Sequence, residues 1–276
     1  LTFSSGYLAN LSILTALASR NDVIFADRLN HACLTDGALL SRASLERYRH
    51  GDVAALTRAM ERASGRRRFI VTDAVFSMDG DIAPLPELLR LAEAFDAWLV
   101  VDDAHGFGVL GDGRGTLAHF GLQSERIVYM GTLGKAAGVA GAFVAAHPAV
   151  VETLVQVARP YVYTTAAPPL LAVALAAALR SIRNDDFRRV RLAELIAAFR
   201  QGAARLPWTL LPSATPIQPL IIGDVRTAVA VSDALLARGI LVPAIRPPTV
   251  PAGTARLRVS LSAAHTRADV DALTAA

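Results

Sequence analysis

The run Trp98-Leu-Val-Val101 contains no polar residue and is closed at once by Asp102-Asp103-Ala104-His105-Gly106. An unbroken apolar run leaves no face for water, so it predicts a strand buried on both sides within a mostly parallel sheet. Ligands of open α/β sheets bind outside the carboxyl ends of strands, which puts Asp102 and His105 where a cofactor would lie. Three positions apart across a turn, the two side chains can face one ring. A carboxylate opposite a pyridine nitrogen keeps it protonated, which is the partner pyridoxal phosphate requires. The ordinary alternative is a capping aspartate and a satisfied loop histidine.

The remaining pattern alternates strands with helices, as a parallel sheet demands. Strands are expected at Leu1–Phe3, Val23–Ala26, Ser44–Arg49, Phe69–Thr72 and Gly141–Ala145, with a further strand ending at Ile127-Val-Tyr129. Helices are expected near 8–19, 32–40, 52–63 with Asp52 as cap, from Pro84 to about 97, and over 148–158. Tyr161–Pro169 reads as an extended, hydroxyl-bearing connector. Alanine- and arginine-rich helices over 170–183 and 186–205 lead into a second domain, with strands at 216–222, 242–245 and 255–261 and a helix at 227–238. The expected division is 1–182 for a large domain and 183–276 for a smaller α+β domain. The turn Ser4-Ser5-Gly6-Tyr7 precedes a helix, and such a turn exposes free N–H groups at a positive dipole end, suited to an anion.

The second polar cluster is Met130-Gly-Thr-Leu-Gly-Lys135-Ala-Ala-Gly138. Lysine attacks an aldehyde only as the neutral amine, so such a role needs a site that takes up its proton. Small neighbours allow a flat ligand to approach the backbone. A surface lysine laying its stem on apolar surface is the ordinary alternative. His31, at a helix start, can stack on a planar ring or be an ordinary histidine, and Ser77 lies at another strand end. Three prolines within Pro247–Pro251 stiffen a loop that presents Arg246, suited to a bidentate carboxylate contact, and the Thr249 hydroxyl.

With 276 residues, 53% of them hydrophobic, the chain can bury a large core. The net charge of +4 is scattered, and Arg66-Arg67-Arg68 has no interleaved aromatic residues, which argues against nucleic acid while suiting an acidic thioester or acyl-carrier partner. A single cysteine, Cys33, excludes an internal disulfide and fits a reducing, cytoplasmic setting. No apolar run reaches the length of about 18 residues that a membrane span needs, and no signal peptide is expected. Leu1 in place of a starting methionine reads as the beginning of a fragment lacking the N-terminal part of its fold.

Asp102-Asp-Ala-His105-Gly, Thr132-Leu-Gly-Lys135, Val75-Phe-Ser77-Met-Asp-Gly-Asp81 and Tyr163-Thr-Thr-Ala-Ala-Pro-Pro169 together resemble the α-oxoamine synthase family of pyridoxal-phosphate enzymes. The resemblance runs nearly end to end. It implies an α/β fold of the aspartate-aminotransferase type (pyridoxal-phosphate fold type I). The ending Ile245-Arg-Pro-Pro-Thr249-Val-Pro-Ala-Gly-Thr-Ala-Arg-Leu-Arg258, with Ser262-Ala-Ala-His265, is similar to the branch that condenses L-alanine with a pimeloyl thioester in biotin synthesis. Sister enzymes of the glycine C-acetyltransferase type share the first four elements but differ before Val250-Pro251. A non-catalytic scaffold subunit would have no need of the whole set.

By this resemblance Lys135 holds the cofactor aldehyde and moves protons at the substrate α-carbon. Asp102 pairs with the ring nitrogen, His105 with the ring hydroxyl, and His31 stacks on the ring and faces substrate. Gly6, Tyr7 and Thr132 hold the phosphate, Thr164 and Thr165 reach the phosphate of a neighbouring subunit in a homodimer, and Ser77 lines the cofactor. Arg246 takes the amino-acid carboxylate and Thr249 contacts substrate. The acyl donor is carried by coenzyme A or by a carrier protein. Tyr7 stands where the family commonly has phenylalanine and Asp73 where it often has glutamate. The missing leading segment implies a fragment of poor activity on its own.

Overall fold

Alternate residues of the apolar strands face opposite sides of one seven-stranded sheet, as an unbroken apolar run requires. Its strands are β1 (Thr2–Phe3), β2 (Val23–Asp27), β3 (Ser44–Tyr48), β4 (Arg68–Asp73), β5 (Ala97–Asp102), β6 (Ile127–Thr132) and β7 (Ala142–Ala145). They lie in the order β1-β7-β6-β5-β4-β2-β3. The run from β6 to β3 is parallel, and β7 pairs antiparallel with both β6 and β1. Ile24, Phe69, Val71, Val100 and Val128 join one core, whereas Phe25, Ile70, Leu99, Val101 and Tyr129 join the other. Each crossover therefore needs an apolar helix face on its own side of the sheet.

Those helices are α1 (Gly6–Leu17), α2 (Ala32–Ser41), α3 (Val53–Arg62), α4 (Leu85–Ala94), the short α5 (Thr116–His119), α6 (Pro148–Val157), the short α7 (Arg159–Val162) and α8 (Pro169–Asn184). Leu14, Leu34 and Leu154 from α1, α2 and α6 fill the first core, and Leu56, Met60, Leu85 and Leu88 from α3 and α4 fill the second. The computed structural model describes residues 1–276. Its internal contacts assign Leu1–Phe76 with Ala83–Asn184 to a first unit, and Ser77–Ile82 with Asp185–Ala276 to a second.

The second unit is an antiparallel sheet with helices, as the α+β reading requires. Its helices are α9 (Asp186–Ala203), α10 (Val225–Ala237) and α11 (Arg267–Ala275), and its strands are β8 (Thr209–Leu210), β9 (Ile217–Gly223), β10 (Ala244–Ile245) and β11 (Ala255–Ser260), ordered β10-β11-β9-β8. Leu195, Phe199, Leu220, Leu257, Val259 and Val270 are buried in it.

Four expectations shift. The first helix begins at Gly6 rather than at residue 8, because Ser5 caps it by accepting from Leu8 N–H. The start of the Tyr161–Pro169 connector is helical, since α7 covers Arg159–Val162. The strand expected over 242–245 shrinks to Ala244–Ile245, as Pro243 brings no N–H to a ladder. A single cut after residue 182 also misplaces Ser77–Ile82. The hydroxyls of Ser213 and Thr215 donate to the Gly80 carbonyl at 2.8 and 2.9 Å, Arg256 donates to Met78 O at 3.1 Å and pairs with Asp79, and Arg258 donates to Ser77 O. No helix is long and apolar enough to cross a membrane.

Candidate active site

Strand register explains why distant residues meet. Asp73 ends β4, Asp102 ends β5, and Asp73 lies opposite Asp102, which lies opposite Met130 of β6. Thr132 closes β6 two residues later. Because β1 and β6 both pair antiparallel with β7, they run the same way, so α1 begins at this same carboxyl edge. One edge thus gathers two carboxylates, a threonine and a helix N-terminus.

Asp102 is buried at 4% exposure. Its Oδ1 accepts from Ala104 N–H at 2.9 Å and its Oδ2 from the Asn10 side-chain amide at 2.6 Å. Burial raises its pKa above the ordinary aspartate value, while these two donors and the charges of Lys135 and His31 pull it down. Asp73, also buried, is raised further by burial and by the neighbouring charge of Asp102. Its Oδ2 accepts from the backbone N–H of His31 at 2.6 Å, which fixes the start of α2.

His31 is the N-cap of α2, its ring nitrogen Nδ1 accepting from Cys33 N–H at 3.3 Å. That donor leaves Nδ1 without a proton and puts the proton of the neutral ring on Nε2. The Cys33 thiol lies 2.9 Å from the same Nδ1. Burial, and next the charge of Asp102, push this thiol up to about 12. It remains protonated.

Lys135 follows β6 in the glycine turn, and its Nζ lies 2.8 Å from Nε2 of half-buried His105. The turn carrying His105 is held from below. Asp103 is fully buried and accepts from Thr116 N–H and Oγ1–H, both at 2.6 Å, and from Tyr129 O–H at 2.7 Å. A Cβ on Gly106 would collide with Asp103 Oδ1 and Thr116 Oγ1, so this turn requires glycine.

At the start of α1 the first four amides have no partners within the helix. Ser5 accepts from two of them, Leu8 N–H through its hydroxyl and Ala9 N–H through its carbonyl. Those of Gly6 and Tyr7 remain for an anion. A Cβ at Gly6 would meet the Met130 side chain and Thr132 Oγ1 at ordinary contact distance, 3.6 to 3.8 Å, which puts the Thr132 hydroxyl beside these amides. The Tyr7 hydroxyl is occupied elsewhere, donating to Asp36 at 2.8 Å.

These donors and acceptors fit pyridoxal 5′-phosphate. A buried carboxylate with two neutral donors has lone pairs left for a cationic ring N–H, two amides and Thr132 suit a phosphate, and the Lys135 amine suits an aldehyde. The first unit thus brings together Gly6, Tyr7, His31, Asp102, His105, Thr132 and Lys135. Thr164 and Thr165, between α7 and α8, are exposed and make no hydrogen bond. Ser77, Arg246 and Thr249 belong to the second unit. There the Thr249 amide donates to Arg246 O at 3.1 Å, closing a turn in which both side chains are exposed and the Pro247–Pro248 bond is cis.

Sequence reasoning passed over Asn10, Cys33 as a site residue, and Asp73 as the partner of His31. Asn10 had a visible signal, a polar residue four and seven positions before Leu14 and Leu17 on the buried face of α1. Asp73 repeats the pattern of Asp102, a carboxylate closing an apolar run.

The family model for class I and II aminotransferases matches residues 1–276. An 8-amino-7-oxononanoate synthase of Aromatoleum aromaticum is 63% identical over 271 residues, covering 98% of this chain and 70% of that protein. Among solved structures, an 8-amino-7-oxononanoate synthase from Francisella tularensis superposes with a TM-score of 0.86 at 35% identity, over 99% of this chain and 79% of that one. A high-resolution structure of SPT with the PLP internal aldimine gives 0.95 at 32% identity, over 100% of this chain and 70% of that one. Sequence, fold and the arrangement at the sheet edge agree, and the chain belongs to the class I and II aminotransferase family, in its 8-amino-7-oxononanoate synthase branch.

Proposed function

We propose that this chain condenses L-alanine with a pimeloyl thioester, releasing carbon dioxide and the free thiol and giving 8-amino-7-oxononanoate for biotin synthesis. The observation that carries the reading is the meeting of Lys135, His105 and Asp102 at one sheet edge in a chain 63% identical to a synthase of that name. Bound pyridoxal phosphate supplies an aldehyde that takes up the substrate amine and a ring that accepts an electron pair.

The chain supplies the rest. Asp102 keeps the ring nitrogen protonated, His105 orients the ring hydroxyl, and His31 covers the ring face with Nε2–H directed by the contacts of its Nδ1. Gly6 and Tyr7 amides with Thr132 bind the phosphate. Lys135 Nζ would hold the cofactor aldehyde and, as a free amine, would remove the α-proton of alanine and later return a proton to the same carbon. The carbon freed of its proton attacks the thioester carbonyl, expelling the thiol, and the alanine carboxylate leaves as carbon dioxide. Arg246 binds that carboxylate until it leaves, Thr249 contacts substrate and Ser77 lines the cofactor. These last assignments rest on the motifs alone.

The same reading makes the protein a cytoplasmic homodimer in which Thr164 and Thr165 serve the partner's phosphate. Coenzyme A and carrier protein are both admissible acyl carriers.

Reduction of the pyridoxal-phosphate complex with borohydride, followed by peptide mass spectrometry, should leave the pyridoxyl group on the Lys135 peptide. Thiol release from pimeloyl-CoA should require L-alanine and disappear in Lys135→Ala. Glycine with acetyl-CoA outperforming alanine with pimeloyl-CoA would replace the substrate assignment, and no pyridoxyl mass would reject the cofactor chemistry.

A further inference from the structure

Asn10 is fully buried, yet its environment leaves its carbonyl without any partner. Its amide nitrogen is used twice, donating to Asp102 Oδ2 at 2.6 Å and to Cys33 Sγ at 3.1 Å. The reverse amide orientation would set two acceptor oxygens against each other at 2.6 Å, so the carboxylate fixes which way the amide points. Burying an unpaired carbonyl is unfavourable, and the chain retains that arrangement where the two donors are needed.

We propose that Asn10 is a positioning residue for the cofactor ring nitrogen, acting through Asp102. Its donor and that of Ala104 occupy one lone pair on each carboxylate oxygen and fix the plane of the group. What remains on the carboxylate is acceptor capacity directed at a ring N–H. The same amide also feeds the Cys33 sulfur, whose hydrogen has His31 Nδ1 at 2.9 Å and Asp102 Oδ2 only at 4.0 Å. The thiol therefore donates to His31, beside the amide of Cys33. One buried amide thus steadies both the carboxylate that meets the ring edge and the imidazole that covers the ring face.

This inference rests on the pyridoxal-phosphate reading, and its test separates the two. Cofactor-free wild-type protein and Asn10→Leu are titrated with pyridoxal phosphate and with its 1-deaza analogue, in which carbon replaces the ring nitrogen. A residue acting through Asp102 should matter only where the ring has a nitrogen. Asn10→Leu should weaken pyridoxal phosphate about tenfold, the scale of one hydrogen bond to a charged group, and leave the analogue unchanged. Equal loss for both ligands would make Asn10 a packing residue and overturn the proposal, as would no loss for either. Asn10→Ala, smaller and likewise without the donor, carries the same comparison if Asn10→Leu does not fold. Wild-type protein that binds neither ligand would instead reject the cofactor reading, and this inference with it.

Discussion

Cys33 shows how a single side chain acquires its character from its neighbours. A free thiol is ordinarily reactive because a fraction of it is thiolate at neutral pH. Here it is 2% exposed, faces the Asp102 carboxylate, and is pushed up to about 12. Iodoacetamide at pH 8 should leave it unlabelled in the folded protein and label it once denaturant is added; labelling of the native protein, read by intact mass, would contradict the burial described. Of the residues at the sheet edge, Lys135, Asp102, His105 and His31 were legible because each stands in a motif that closes an apolar run or opens a helix. Asn10 and Asp73 were less so, since their roles depend on partners 92 and 42 positions away.

At the scale of elements, the turn after β5 is held by buried polar contacts. Asp103 receives three hydrogen bonds there, two from Thr116 and one from Tyr129, and Gly106 passes between them. Gly106→Ala should force those groups apart and cost about 1–3 kcal/mol, the range for overpacking a filled interior. Because the same turn carries His105, cofactor binding should weaken alongside stability. Urea denaturation and a cofactor titration measure both, and a variant unchanged in either would show that the turn can relax. The sequence made this glycine visible as part of a motif, but not the collision that requires it.

At the scale of the whole molecule, the buried carboxylates make stability depend on pH. The folded pKa of Asp73 lies well above the ordinary value of 3.8, through burial and the charge of Asp102. Between 3.8 and that raised value the folded state holds more protons than the unfolded one, so this group's contribution to stability falls as pH rises, and its penalty is complete above the folded pKa. Asp73→Asn removes the charge and keeps an oxygen for the His31 amide. In the cofactor-free protein its stability relative to wild type should therefore increase as pH rises through that window, measured by urea denaturation across a pH series. A difference independent of pH would mean that Asp73 titrates as an ordinary carboxylate.

Local pattern was sufficient for what depends on neighbours in sequence. Apolar runs fixed the strands, 3.6-residue periodicity and caps such as Asp52 fixed most helices, and the polar residues closing the runs gather at one sheet edge. Tertiary structure decided what depends on register and on contacts between remote segments. The pairing of β4 with β5 put Asp73 beside Asp102, and the buried face of α1 brought Asn10 to that carboxylate. The bonds from Ser213, Thr215, Arg256 and Arg258 drew Ser77–Ile82 into the second unit. The physical reason is that strand and helix signals are carried by adjacent residues, whereas a buried polar group must find its partner wherever the fold supplies one.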